Sequence, residues 1–176
     1  SQDIAVTDNE NPIALCQSIT VQLDALGNAS IGTGDIDNGS NDACGIASLA
    51  LDVTSFDCSN IGANTVVLAV TDNNGNASTC SATVTVEDNV DPVALCQSIT
   101  VQLDALGNAS IGTGDIDNGS NDACGIASLA LDVTSFDCSN AAAHTVFLTV
   151  TDNTGNASTC SATVTVEDTV DPVALC

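Results

Sequence analysis

Carboxylates and cysteines carry whatever chemistry this chain has. Of its 176 residues 23 are Asp or Glu, none is Lys or Arg, and the one histidine is His144. The acidic residues gather in three kinds of segment. Proline-bearing stretches hold Asp8 and Glu10, then Glu87, Asp88 and Asp91, then Glu167, Asp168 and Asp171. Asp-Ile-Asp loops hold Asp35, Asp37 and Asp42, and again Asp115, Asp117 and Asp122. Thr-Asp-Asn turns hold Asp72 and Asp152. Neighbouring Asn residues add amide oxygens. Hard cations such as calcium take about six to eight oxygens of these types from flexible loops, so all sixteen carboxylates are candidate calcium ligands. The competing reading is that Asp and Asn are there as turn formers.

Charge favours the metal reading. A formal net charge of −23 with no basic side chain repels itself in a compact state unless something offsets it. The same charge makes nucleic acid and anionic membrane surfaces poor partners. Disorder is the usual reading of an acidic, aromatic-poor chain, but 44% of the residues are hydrophobic and they alternate in short runs.

Catalysis finds little support. A Ser–His–Asp relay needs a histidine in each active unit, and the position of His144 is Asn64 one period earlier, so His144 reads as a surface residue. Paired carboxylates could hydrolyse glycosides, but the chain has no Trp or Tyr to floor a sugar cleft. Lysine-dependent isopeptide staples are excluded. Asn-Xaa-Ser sequons at Asn28, Asn38, Asn76, Asn108, Asn118 and Asn156 read as turn chemistry, and as glycan acceptors only in a host with that machinery.

The elements that position these groups are repeated. Residues 14–93 and 94–173 differ at seven of 80 positions, so the chain is a tandem array of one module. Prolines 12, 92 and 172 mark stiff linkers. The expected divisions are 1–11 as the end of a preceding repeat, 12–91 and 92–171 as two modules, and 172–176 as the start of a following one. Strand-like alternation at 18–23, 65–70 and 81–86, with shorter runs at 29–33, 46–51 and 55–58, alternates with Gly/Asn/Asp turns. No helical period is sustained. Six or seven short strands per module predict an all-β chain of tandem immunoglobulin-like β-sandwich repeats with an 80-residue period. With the first strand running down from the linker, strands 29–34 and 65–71 return to the linker end, where the acidic loops and linker would converge.

Nine cysteines, four per module plus Cys176, point to disulfides and an oxidising, extracytoplasmic setting. First and last strands can run side by side in such a fold, which suggests Cys16 with Cys80 and Cys96 with Cys160. A hairpin turning near Leu51-Asp52 would then pair Cys44 with Cys58, and likewise Cys124 with Cys138. Cys176, in register with Cys16 and Cys96, would find its partner in a following repeat. No transmembrane or leader segment is visible.

The run Asp-Pro-Val-Ala-Leu-Cys-Gln-Ser-Ile-Thr-Val, then Asp-Ala-Cys-Gly-Ile, then Thr-Asp-Asn-Xaa-Gly-Asn-Ala-Ser-Thr-Cys-Ser-Ala-Thr-Val-Thr-Val resembles hyalin-repeat (HYR) immunoglobulin-like modules. More narrowly, it looks like the repeats of giant cell-surface adhesins of gliding Bacteroidetes, of the SprB type. Asp115-Ile-Asp117 beside an acidic proline linker is also similar to the calcium-binding arrangement between cadherin domains. The resemblance implies a non-enzymatic stalk of an extracellular, cell-surface adhesin filament, serving adhesion or gliding motility. Disulfides and inter-repeat calcium would stiffen it. Its partners would be neighbouring repeats of the same long chain, with a surface or glycan ligand bound through other regions. The alternative is an array of carbohydrate-binding modules.

Overall fold

A computed structural model describes residues 7–171; residues 1–6 and 172–176, the latter including Cys176 and the expected start of a following repeat, lie outside the described region. The chain is all-β and forms two tandem β-sandwich modules. It divides into two compact units, Ser1–Asn89 and Val90–Cys176, so the stretch 87–92 is split between them.

In the first unit β1 (Ile19–Gln22), β2 (Asn28–Ser30), β3 (Ile46–Leu51), β4 (Ser55–Asp57), β5 (Gly62–Asp72) and β6 (Ala77–Glu87) surround one helical turn, α1 (Thr33–Ile36). The second unit repeats the plan with β7 (Ile99–Gln102), β8 (Asn108–Ser110), α2 (Thr113–Ile116), β9 (Ile126–Leu131), β10 (Ser135–Asp137), β11 (Ala143–Asp152) and β12 (Ala157–Glu167). Four strands form one sheet in the order β1-β6-β5-β3, and β2 pairs with β4 across the core. The second unit has β7-β12-β11-β9 and β8 with β10.

Alternation sets the register. In β5 Val66, Leu68 and Val70 turn inward, and in β6 Ala82, Val84 and Val86 do the same. A one-residue slip would expose all six, which is why a half-buried hairpin holds one pairing. Leu23, Ile31, Ile36 and Phe56 close the core from the opposite side. The second unit buries Leu103, Ile111, Ile116 and Phe136 against Val146, Leu148, Val150 and Val164. First and last strands are parallel neighbours, Ile19 opposite Val84 and Gln22 opposite Glu87.

Two expectations need correction. The second strand stops at Ser30, because Gly32-Thr33-Gly34-Asp35 coils into α1 instead. The Asp35 carboxylate accepts from the Gly32 amide at 2.7 Å, and buried Ile36 anchors the turn. Nor is there a hairpin at Leu51-Asp52. β3 lies on β5, but after Asp52 hydrogen-bonds Val67 the chain crosses to the other sheet and continues as β4 beside β2. β3 and β4 therefore run the same way along the module and carry their flanking residues to opposite ends of it.

Each module thus has two distinct ends. At the entrance end of the first lie residues 7–13, the 37–45 loop and the 72–76 turn. Bridges pair Ile13 with Asn41 and Cys16 with Asp37. At the exit end lie the 24–27 turn, the turn at Cys58–Asn60 and the last residue of β6, where the Leu23 amide donates to Glu87 O at 2.9 Å.

Candidate functional site

Asp8, Asp42 and Cys44 meet at the entrance end of the first module, their carboxylate and thiol atoms all within 4.8 Å of one another. Three turns put them there. Asn76 Nδ2 donates to Asp8 O at 3.3 Å, tying the incoming chain to the β5–β6 turn. Asn73 Nδ2 donates to Cys44 O at 2.7 Å, and the Asn73 amide to Gly45 O at 3.1 Å, clasping the 42–45 loop. Gly45, at φ +94°, makes that approach feasible, since a Cβ there would stand 2.8 Å from Asn73 Nδ2. The Asp42 carboxylate accepts from the Cys44 amide at 2.7 Å.

Electrostatics make this a strongly anionic corner. Hydrogen bonding to the Asp8 carboxylate, then the charges of Asp8, Asp42 and Asp72, hold the Cys44 thiol above the usual cysteine range. Asp8 Oδ2 is enclosed without a hydrogen-bond partner. Buried carboxylate oxygens are ordinarily satisfied, so this atom has acceptor capacity to spare.

Other predicted ligands spend their oxygens locally. Asp35 caps α1 and Asp115 caps α2, each accepting from a glycine amide at 2.7 Å. Asp37 accepts from the Ser40 amide and Asp117 from the Ser120 amide, both at 3.0 Å. Hydrogen bonds from those serines lower both carboxyls below the ordinary aspartate value. Asp72 is buried and takes the amides of Asn74 and Asn76 together with Asn76 Nδ2. Burial pushes its pKa up, but those hydrogen bonds outweigh it and the net shift is downward. Asp152 is held the same way by Thr154, Gly155 and Asn156. In these positions aspartate serves as a turn former.

The remaining acidic positions separate by surroundings. Glu87 accepts from Gln22 Nε2 at 2.7 Å and Glu167 from Gln102 Nε2 at 2.6 Å, so each reaches back to its own module's first strand. Asp88 is buried, whereas Glu10, Asp91 and Asp171 are exposed. Asp168 accepts from the Val170 amide at 3.0 Å, and Asp122 from the Cys124 amide at 2.7 Å.

Disulfides join Cys16 to Cys80 and Cys96 to Cys160, with Cα–Cα distances of 5.8 and 5.7 Å. The expected pairs Cys44–Cys58 and Cys124–Cys138 do not form. Cys44 and Cys138 are free thiols, while Cys58 and Cys124 are disulfide-bonded. The β3-to-β4 crossing is the reason. Cys44 sits at the entrance end against Asn73, whereas Cys58 sits at the exit end with Sγ 3.8 Å from Gly27 O. A disulfide needs Cα atoms within about 7 Å.

His144 is half-buried rather than on the surface. Its Nε2 lies 2.7 Å from Asn140 O and its ring 5.8 Å from that of Phe136. Asn64 makes the same bond in the first module, to Asn60 O at 2.7 Å. Histidine here replaces an asparagine that fastens a turn. Sequence reasoning missed this, although the seven-position comparison of the repeats held the signal.

No sequence-family model matches the chain, and no curated protein does. Among solved structures it is similar to extracellular cadherin domains 1–4 of protocadherin gamma B7, at 11% identity and a TM-score of 0.41 over 91% of this chain. It spans about half (51%) of that fragment. It is also similar to human protocadherin-24 EC1-2, at 12% identity and a TM-score of 0.47, covering 91% of this chain and 100% of the other. Mouse clustered PcdhgC3 EC1-3 gives 14% and 0.38, over 91% of this chain and 69% of the other. Identity at this level carries no function across. Among the described residues no helix is long and apolar enough to cross a membrane.

Proposed function

We propose that this chain is a segment of the stalk of an extracellular, repetitive adhesin filament, braced by calcium at the entrance of each module. The resemblance of the Asp-Pro-Val-Ala-Leu-Cys and Thr-Asp-Asn runs to the hyalin-repeat modules of SprB-type gliding adhesins supports this reading. The observation that carries the reading is the corner formed by Asp8 and Asp42. Two carboxylates are held within 4.8 Å by three separate turns, in a chain with no Lys or Arg.

The donor set suits a hard cation. Asp8 and Asp42 would hold the ion, with Asp8 Oδ2 as the unspent acceptor and exposed Glu10 within reach in sequence. A thiol is too soft for calcium, so Cys44 is a neighbour and not a ligand. The same positions recur one period on, at Asp88 and Asp122. The ion's contribution is charge neutralisation: it replaces repulsion among carboxylates with shared attraction, and so favours the closed form of the entrance loops. Near-identity of the modules suits a part whose work is reach and stiffness.

Isothermal calorimetry with calcium chloride tests this on the chain as it stands. Saturable binding is expected, with a dissociation constant of about 10⁻⁴–10⁻³ M as in extracellular modules, and the double variant Asp8→Asn/Asp42→Asn should lose the heat assigned to the first module. Saturable, repeat-dependent sugar binding on a glycan array would favour the carbohydrate-binding reading instead.

A further inference from the structure

Cys44 is left over by the calcium reading. Its sulfur stands in one corner with the carboxylates of Asp8 and Asp42, the ligating atoms all within 4.8 Å of one another, yet calcium has no use for a thiol. All three residues belong to the first unit. Cys44 is free and exposed, and Asn73 clasps the loop that carries it. The sulfur is accessible, and it is held beside two carboxylates.

The group differs from an ordinary acidic patch in two ways. Asp8 Oδ1 takes the Glu10 amide at 3.1 Å, but Asp8 Oδ2 is enclosed and has no hydrogen-bond partner. The carboxylate that holds this unspent oxygen faces the Cys44 thiol. Asp8 and Asp42 also line an open cleft of about 320 Å³ with Glu10, Asn11 and Asn41. That cleft gives an ion a way in and leaves space for water at a further coordination position.

We propose that the corner read above as a calcium site also takes a thiophilic divalent cation of the zinc class, held by the Cys44 thiolate with Asp8 and Asp42; this rests on that reading's carboxylate pair and adds the sulfur. Zinc accepts thiolate at about 2.3 Å and carboxylate at about 2.1 Å, and thiolate is the ligand that selects it over calcium. Bonds of those lengths set neighbouring ligands of a tetrahedral ion about 3.5 Å apart, a short side-chain adjustment from the spacing here. Binding exchanges a proton for the ion. The S–H proton of Cys44 passes to the buffer as the sulfur–metal bond forms, and no electrons move.

Zinc and calcium then exclude each other, because they share Asp8 and Asp42. Oxidation of Cys44 would remove the zinc ligand and leave the calcium ligands in place. Cys124, at the same position one period on, is disulfide-bonded and has no thiolate to offer. Cys138 is the other free thiol among the described residues, and it belongs to no such group there.

The probe is cobalt(II), which substitutes for zinc and reports a thiolate ligand by a near-ultraviolet sulfur-to-metal charge-transfer band. Titrated into the oxidatively folded chain without added reductant, cobalt should raise that band to saturation, and zinc should then bleach it. Cys44→Ser should abolish the band, Asp8→Asn/Asp42→Asn should weaken it several-fold at a fixed cobalt concentration, and Cys138→Ser should leave it unchanged. In the unsubstituted chain zinc should protect Cys44 from iodoacetamide while Cys138 is alkylated as fast as before, a readout that needs no variant to fold. No band, a band that survives Cys44→Ser, or Cys44 alkylation unmoved by zinc overturns the proposal. Calcium calorimetry on the same samples separates the two readings. Calcium heat with no cobalt band overturns the zinc site alone, whereas a saturating, Cys44-dependent band with no calcium heat supports the zinc site and removes the calcium brace.

Discussion

Asp8 and Cys44 meet at the entrance of the first module, carboxylate and thiol within 4.8 Å, although they come from different turns of the chain. The carboxylate raises the thiol pKa by hydrogen bonding and by its charge, which keeps the sulfur protonated and slow to react. Asp8→Asn should therefore lower that pKa and speed alkylation of Cys44 by iodoacetamide several-fold at pH 8. Mass spectrometry of quenched time points reads the rate, and an unchanged rate would contradict the contact.

Asp72 and Asp152 anchor the β-turns between the two longest strands of each module. Their folded pKa values lie below the ordinary aspartate value because turn amides and Asn76 or Asn156 outweigh burial. A lowered folded pKa contributes stability that is present above the unfolded value and is lost as pH falls through the folded one. Melting temperature should hold down to about pH 4 and drop below it. Asp72→Ala should lower it at pH 7 by about 5 °C or more and flatten the acid limb. Calorimetry from pH 7 to pH 2 reads both.

Gly45 is the hinge of the clasp that presents Asp42 and Cys44. With φ +94° and Asn73 Nδ2 close by, Gly45→Ala is strained in backbone and crowded in side chain. Its cost should be about 1–3 kcal/mol in urea unfolding. Gly75→Ala, at φ +94° with open space around it, has only the backbone component. It should cost less, and equal losses would remove Asn73 from the account.

Cys16–Cys80 closes 64 residues of chain and fastens the first strand to the last. Replacing both by Ser should destabilise the first module by about 2–5 kcal/mol and leave the second, with its own Cys96–Cys160 bond, melting as before. One shared transition, shifted as a whole, would contradict independent modules.

The parts of the fold legible in the sequence are those written locally. Val66, Leu68 and Val70 against Ala82, Val84 and Val86 spell the central hairpin by period two. Asp72-Asn-Asn-Gly-Asn76 spells its turn. What the sequence hid depends on distant partners. α1 forms because Asp35 can cap it and Ile36 can reach the core, neither of which a strand pattern at 29–34 reveals. Cys44 and Cys58 look like hairpin mates until β4 is seen to change sheets, a step fixed by Asp52 on Val67 and by Phe56 in the opposite wall. In sequence the acidic loops and linkers read as candidate ligands converging at each junction, without all of them sharing one ion. In three dimensions most of these aspartates accept amides of their own turns, Asp8 and Asp42 among them, and Asp8 and Asp42 in addition face each other.

The calcium brace is the central claim, and calorimetric melting against calcium concentration tests it most directly, with sodium chloride matched for ionic strength because any salt screens a charge of −23. If Asp8 and Asp42 take the ion, 10 mM calcium should raise the first module's melting temperature by about 6 °C or more above the sodium control. In Asp8→Asn/Asp42→Asn that module's rise should vanish. Equal melting temperatures in calcium and in matched sodium chloride would contradict the account.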